Sequence, residues 1–332
     1  MSAPHVLFIG GTGVISSACV RRAVATGWQV SVLNRGRSTT RPLPEGVEAL
    51  HADAHDPAAV RLALEGRRFD AVADFMTFTP DQAAAAVDTF TGRTGQYVFV
   101  SSASAYAKPP ATLPVTESTP LRNPFLQYSR DKIACEERLV AAHRERGFPV
   151  TIVRPSHTYD ATSVPLLGGW TEVDRMRRGL PVVVHGDGTS LWTLTHHDDF
   201  ARGFVGLLGL PATIGDAVQI TSDEVLTWDA IYRQMARAAG APEPELVHVP
   251  SEAIHAVAPD IGDALLGDRM HHGVFDNSKV KALVPGFAAT VPFWRGAREV
   301  VAWHDADPAR QRVDERFTAV TEQLLARYAL RG

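Results

Sequence analysis

The sequence predicts an α/β protein, a doubly wound parallel sheet followed by a smaller C-terminal α/β lobe. Three observations predict it. Short β-branched runs alternate with longer Ala-rich stretches over the first half of the 332 residues. A glycine-rich turn stands directly between the first such pair. The regular alternation then fades after about residue 155. Strand–helix order of this kind implies crossover helices on both faces of a parallel sheet.

His5–Ile9, Gln29–Leu33, Val47–His51, Ala71–Phe75, Gln96–Ser101 and Val150–Arg154 read as buried strands. Val14–Thr26, Pro57–Leu64, Pro80–Phe90 and Tyr128–Arg146 read as helices, and Gly27 and Gly147 stand where a C-cap glycine ends the first and last of them. The first domain is expected over residues 1–155, with segments around 182–224 returning to it, and a substrate lobe over 156–332. Within that lobe Ser156–Gly188 and Leu246–Asp276 read as loop-rich, and Trp228–Ala239 and Asp314–Tyr328 as helices. With no repeat or Gly/Ser linker, the lobes are expected to pack as one body.

Composition narrows the function classes. There are 33 basic against 37 acidic residues, a net charge of −4, which argues against a nucleic-acid partner. Apolar residues at 45 % supply a core and exclude intrinsic disorder. The longest apolar runs have strand length, so no membrane span is expected. Met1–Gly13 lacks a basic n-region and a cleavable h-region, which leads to the expectation of a cytoplasmic protein. Cys19 and Cys135 lie in predicted helices without CxxC spacing, so neither a disulfide framework nor a thiolate metal site is expected.

The first strand runs into Gly10-Gly11-Thr12-Gly13-Val14-Ile15-Ser16. Glycines at positions one and four allow a tight bend and close approach of a diphosphate, which the N–H groups of the next helix face. Gly10, Thr12, Gly13, Val14 and Ile15 are therefore candidate dinucleotide contacts of a Rossmann-type domain. Ser16 replaces the usual third glycine, so helix and strand are expected to pack less tightly there. At the end of the second strand Asn34 stands where NAD specificity normally needs a carboxylate, and Arg35 and Arg37 are placed to meet a 2′-phosphate. NADP is favoured and NAD remains possible. Asp53 and Ala54 are expected to flank the adenine, and Phe75, Met76 and Thr77 to line the nicotinamide side.

The fifth strand ends in Ser101-Ser102, and Tyr128 and Lys132 follow on one face of a helix. A phenol with a pKa near ~10 must shift about three units, or ~4 kcal/mol, to act as a base at neutral pH. An ammonium ~4 Å away at intermediate dielectric contributes on the order of 4 kcal/mol. An oxidised nicotinamide adds further positive charge, so Lys132 together with NAD(P)+ is expected to acidify Tyr128, while Ser102 bonds the substrate oxygen and steadies a developing alkoxide.

With these residues in place the chain resembles an extended short-chain dehydrogenase/reductase of the NAD-dependent epimerase/dehydratase family. The resemblance rests on Gly10-Gly11-Thr12-Gly13, Asp53, Ser101-Ser102, Tyr128, Lys132 and Arg154-Pro155. It continues through Gly186-Asp187-Gly188, His196-His197-Asp198-Asp199 and Asp276-Asn277-Ser278-Lys279. The resemblance implies that Tyr128 is the general acid or base, that Lys132 binds the nicotinamide ribose, that Ser102 polarises the substrate, and that Ser101 and Pro155 border the cofactor. It also implies a sugar-like, nucleotide-linked substrate in the second lobe, and a homodimer built on the helices Pro80–Phe90 and Tyr128–Arg146.

The chain departs from the family in two places. Ser102 is followed by Ala103-Ser104 rather than the Asp-Glu pair of the 4,6-dehydratases, so β-elimination lacks its acid and base. Trp192 stands where many of the epimerases place a diphosphate-clamping arginine; it can stack on a sugar or base but cannot neutralise phosphate. Arg175, Arg177 and Arg178 either replace that clamp or coat a helix. Ser104, Arg175, Arg178 and Trp192 are the candidate substrate contacts. His157, just past the sixth strand, either meets the nicotinamide or substrate or is a structural histidine. No metal is expected at His196-His197-Asp198-Asp199, where Asp198 or Asp199 has a ready role as a helix cap.

The leading expectation is an epimerase in which Tyr128 takes a hydroxyl proton while hydride moves to and from a tightly held NAD(P). The alternative is a net NADPH-dependent reductase using the same residues, which Arg35 and Arg37 favour. A third reading follows from Trp170, Arg175, Gly179, Pro181, Gly186-Asp187-Gly188 and Trp192, which resemble an atypical RNA-binding branch of the superfamily; the net charge and the intact Ser-Tyr-Lys set argue against it.

Overall fold

A computed structural model describes residues 3–329. Up to residue 155 it contains β1 (His5–Ile9), α1 (Val14–Ala25), β2 (Gln29–Asn34), β3 (Glu48–His51), α2 (Pro57–Ala63), β4 (Phe69–Asp74), α3 (Pro80–Phe90), β5 (Thr94–Val100), α4 (Gln127–Arg146) and β6 (Val150–Pro155). Each expected element is present, with its ends moved by one or two residues, where helices and strands fray. Local chemistry sets the boundaries. At α3 the Thr79 hydroxyl accepts from Gln82 N, the Gln82 side chain reaches back to Thr79 N, and Pro80 fills the first turn. At the other end of α4, Gly147 adopts φ +67°, the left-handed cap its position predicts.

The chain continues through β7 (His157–Tyr159), α5 (Trp170–Arg177), β8 (Val182–His185), β9 (Leu191–Trp192), β10 (Leu194–His196), α6 (His197–Leu207), β11 (Ala217–Ile220), β12 (Leu226–Thr227), α7 (Trp228–Ala238) and β13 (Leu246–Val249). The central sheet has seven parallel strands in the order β11-β6-β5-β4-β1-β2-β3. Connections leave β1 in both directions, so a crevice opens beyond its carboxyl end. Alternate residues of each strand feed two cores. Val6, Phe8, Val32 and Val98 pack under α1 and α6, while Leu7, Ile9, Val72 and Phe99 pack under α3 and α4. Burial on both faces is why these strands read as continuous apolar runs.

The second lobe departs from the expected boundaries. β8 pairs with β13 and β10 with β7, so of the stretch 182–224 the lobe takes 182–196, and α6 and β11 rejoin the sheet domain. Leu246–Asp276 is no loop. It holds β13, α8 (Ser251–Val257), α9 (Pro259–Ala264) and a π-helical turn at Leu265–Arg269. Ser156–Gly188 likewise holds β7, α5 and β8. These elements are too short to show periodicity, and neighbours distant in sequence complete their apolar faces. A second return also went unread: Val280 of α10 (Ser278–Leu283) and Phe287 join the core under α6. α11 (Phe293–Asp305) and α12 (Glu315–Tyr328) close the lobe. Among the described residues no helix is long and apolar enough to cross a membrane.

Candidate active site

The crevice beyond β1 is a cleft of about 680 Å³. Gly10 leaves β1 at φ +81°, and a Cβ there would meet Met76 Cγ at 2.5 Å; one at Gly11 would meet Val32 Cγ1 at 2.7 Å. α1 begins at once with no acidic residue in its first turn, so the positive end of its dipole faces the cleft unopposed. Ser16 does not loosen the turn. It is buried, and its Oγ accepts the Gly13 N–H at 2.8 Å. Gly10, Thr12, Gly13, Val14 and Ile15 all line this cleft.

Asn34, Arg35, Arg37, Asp53 and Ala54 line one end of it. Asn34 Oδ1 accepts from Gly36 N at 2.8 Å and so closes its own turn, leaving Arg35 and Arg37 as the charged donors. Asp53 Oδ1 accepts from His55 N at 3.0 Å; that bond, and then the Arg35 charge, hold its carboxyl below the usual range. Phe75, Met76, Ser101, Tyr128, Lys132 and Pro155 line the other end. Two expected contacts lie elsewhere. Thr77 gives its N–H and hydroxyl to Asp74 and its carbonyl to Lys132, which turns it away from the cleft. His157 borders a second pocket instead. The left-handed Gly10, the crowding over Gly11 and the acid-free helix start fit a dinucleotide diphosphate.

Ser102 stands past β5 as the cap of a single 3₁₀ turn, Ala103–Ala105. Lys132 is 2 % exposed and its Nζ donates to Thr77 O at 2.7 Å and Val100 O at 2.8 Å. It lies 4.7 and 4.8 Å from the ring centres of Phe78 and Phe99, and 5.8 Å from that of Tyr128. Burial lowers its pKa to about 8. Although 41 % of Tyr128 faces the open cleft, the surrounding protein raises the phenol pKa, with the Ser102 hydroxyl opposing. Lys132, its ammonium bonded to two carbonyls, is not among the groups that lower the phenol pKa in the protein alone; the expected acidification also involves the positive charge of an oxidised nicotinamide.

A second pocket of about 190 Å³ adjoins the cleft, and Ser102, Tyr128, Pro155 and Ser156 line both. Ser104, His157 and Trp192 border it. Trp192 Nε1 donates to His157 Nδ1 at 3.1 Å, and burial holds the histidine neutral. Arg175 and Arg178 do not reach it. Arg175 is buried against Pro181 O (3.0 Å) and Glu322 (2.6 Å), and Arg178 pairs with Asp174 at 3.2 Å, because α5 turns these positions toward α12 and solvent. Arg269 and Asp268, which also line the pocket, carried no sequence signal: the π-helical turn brings them in, and Lys108 holds Asp268 at 2.7 Å.

His196, His197 and Asp198 bring three potential ligand atoms within 4.8 Å of one another. Both nitrogens of His196 are occupied, Nε2 by Glu299 at 3.0 Å and Nδ1 by the Asp198 N–H at 3.3 Å. His196, not an aspartate, thus caps α6. Asp199 instead accepts from Val291 N at 2.9 Å and pairs with Arg202.

Residues 6–220 match the model of the NAD-dependent epimerase/dehydratase family. A 2′-dehydrokanamycin reductase from Streptomyces kanamyceticus is 32 % identical over 252 residues, 75 % of this chain and 70 % of that protein. A chloroplast stem-loop binding protein from Arabidopsis thaliana is 27 % identical over 259 residues, 74 % of this chain and 66 % of that one. In fold the chain resembles a UDP-glucose 4-epimerase from Bifidobacterium longum solved with NAD⁺ and UDP, with TM-score 0.72, 19 % identity and coverage of 92 % and 99 %. An epimerase from Methanothermobacter thermautotrophicus gives TM-score 0.75 at 16 % identity, covering 93 % and 94 %. A dinucleotide cleft that meets a Ser-Tyr-Lys set, on a seven-stranded sheet matched over most of its length, makes this enzyme a member of the NAD-dependent epimerase/dehydratase family.

Proposed function

We propose that the chain is an NADPH-dependent reductase that converts a ketone of a compact, sugar-like molecule into a secondary alcohol. One observation carries this reading: Ser102 and Tyr128 stand together where the cofactor cleft and the smaller pocket meet, and burial raises the phenol pKa above its ordinary value. A reduced nicotinamide held in the cleft would supply hydride to the carbonyl carbon. Tyr128 gives its proton to the carbonyl oxygen, Ser102 donates a hydrogen bond to the same oxygen, and Lys132 would hold the ribose hydroxyls beside the phenol. Arg35 and Arg37, with no carboxylate at position 34, support NADPH. The identity to a reductase supports net reduction. The size of this second pocket, about 190 Å³, supports a compact substrate over a nucleotide-linked one.

The second reading is an epimerase, which the family model supports. Stoichiometric NADPH oxidation by purified protein with a panel of keto sugars supports the reductase; turnover by protein carrying its own cofactor, with none added, supports the epimerase. Tyr128→Phe should lower turnover at least about 100-fold and leave NADPH affinity intact, and activity within about tenfold of the parent removes its role. An RNA-binding reading follows from the stem-loop binding relative, but the intact Ser102, Tyr128 and Lys132 and the net charge of −4 favour catalysis. Salt-sensitive RNA binding retained in Tyr128→Phe, without turnover in the parent, reverses that preference. α3 and α4 pack side by side and offer a paired face for a homodimer. Sedimentation at micromolar concentration should give the dimer mass, and a monomer counts against it.

A further inference from the structure

Three serine hydroxyls form a directed chain behind the junction of the two cavities. Ser129 follows Tyr128 on α4, is fully buried, and donates its hydroxyl to Ser104 Oγ at 2.7 Å. Ser104 Oγ lies 2.9 Å from Ser102 Oγ, and the Ser104 N–H also donates to Ser102 Oγ at 3.1 Å. A serine this early in a helix ordinarily bonds locally; here the hydroxyl crosses to another element. Asn123 pins the Ser104 carbonyl at 2.9 Å and the Gly267 carbonyl at 2.6 Å with one amide, so the middle serine is held from the lobe side as well.

A hydroxyl has one proton and two lone pairs. Ser104 accepts from Ser129; its 2.9 Å contact with Ser102 allows either hydroxyl to donate, and Ser102 is the one acceptor within reach of the Ser104 proton among the described residues, so the chain runs from Ser129 through Ser104 to Ser102. Ser102 Oγ then accepts twice, from the Ser104 N–H and O–H, and both its lone pairs are filled. Its proton has one direction left, outward to the junction that Tyr128 also lines.

We propose that Ser104 and Ser129 are positioning residues that make Ser102 an obligate hydrogen-bond donor to the substrate oxygen. This rests on the reductase reading. The chain removes the rotational freedom of the Ser102 hydroxyl and polarises it before substrate arrives, so the donor is already aimed where negative charge develops. It also excludes Ser102 as a base or a nucleophile, since neither lone pair is free. Ser104 is thereby reassigned. It borders the pocket, but its hydroxyl serves Ser102 rather than substrate.

The test is a set of mutant cycles with NADPH and a ketone that the parent reduces. Ser104→Ala and Ser129→Ala should each lower kcat on the order of tenfold with NADPH affinity unchanged. In a Ser102→Ala background each should change kcat less than about twofold, because the hydroxyl they orient is gone. Parental kcat in Ser129→Ala, or an undiminished effect in the Ser102→Ala background, overturns the proposal. If the parent reduces no ketone, the reductase reading has failed by itself. Neutron diffraction from the deuterated protein then decides the chain. A Ser102 deuteron aimed into the cleft supports it, and one aimed at Ser104 overturns it.

Discussion

Replacing Lys132 with methionine separates what the lysine does for chemistry from what it does to stability. The ammonium is 2 % exposed, bonded to two carbonyls and flanked by two phenyl rings, and among the described residues no carboxylate lies within ion-pair distance. Its pKa falls from 10.5 to about 8, chiefly through burial. A depression of about 2.5 units corresponds to about 3 kcal/mol against the folded state while the group is charged. Below about pH 8 both states are protonated and this penalty is constant. Between about pH 8 and 10.5 the unfolded chain binds the proton and the folded one does not, so stability rises with pH. Integrated from pH 7 to pH 9.5, the gain is about 2 kcal/mol. Lys132→Met has no group titrating there. It also leaves the Thr77 and Val100 carbonyls unpaired, an offset of about 1–3 kcal/mol each that does not vary with pH. Urea unfolding of parent and variant at both pH values isolates the titrating part. The parent should gain about 2 kcal/mol more than the variant across that range, and the variant should lose activity at least about 100-fold. Parallel stability profiles, with a constant difference between the two proteins, refute the reasoning.

Three more outcomes follow from other residues. Arg35→Ala should weaken NADPH on the order of tenfold and NADH little; titrations showing equal loss for both refute contact with a 2′-phosphate. Glu172 is buried beneath Tyr232 (2.7 Å), with its pKa pushed up from 4.5 to about 7, so the folded state holds the extra proton and stability falls as pH rises through that window. Glu172→Gln should therefore gain about 2 kcal/mol over the parent between pH 5 and pH 8, read as thermal midpoints; an unchanged gap removes burial as the cause. Arg154 and Glu136 form a buried bidentate pair (2.5 and 2.9 Å). Arg154→Met should destabilise by about 3–5 kcal/mol, and adding Glu136→Met should restore most of it. A double variant no better than the single shows that something other than an orphaned charge was lost.

The sheet domain was legible because its signals are local. Val6 to Ile9 is an uninterrupted apolar run, Thr79-Pro80 with Gln82 writes a helix start, and Gly147 writes an end. The lobe was not. Trp170, Val173 and Met176 pack against Trp228 and Val300, which lie more than fifty residues away, so α5 shows its buried face only once the lobe is assembled. The same distinction divides the site. Tyr128 and Lys132 share a helix face by spacing alone, and Ser102 follows from the end of a strand. The protonation of Tyr128 does not follow, since it depends on how much protein closes around the phenol. Arg175 and Arg178 failed because residue type in the right lobe says nothing about which way a helix face turns.

Glu136 shows why a buried lysine can keep its charge for a ligand. It lies one turn beyond Lys132 on α4, close enough to raise the lysine pKa slightly, and a direct pair there would neutralise both. Instead its oxygens accept from Arg154 at 2.5 and 2.9 Å and from the Ser101 hydroxyl at 2.5 Å. Arg154 comes from β6 and Ser101 from the tip of β5, so the carboxylate ties α4 to both strand ends and points its bonds at them rather than at Lys132. The ammonium is satisfied only by neutral carbonyls, which hold it in place without cancelling its charge. A fold optimised for stability alone would pair these two groups or replace both. Pairing Glu136 with Arg154 instead anchors α4, the helix that carries Tyr128 and Lys132, to the ends of β5 and β6, and among the described residues leaves the Lys132 ammonium without a salt-bridge partner.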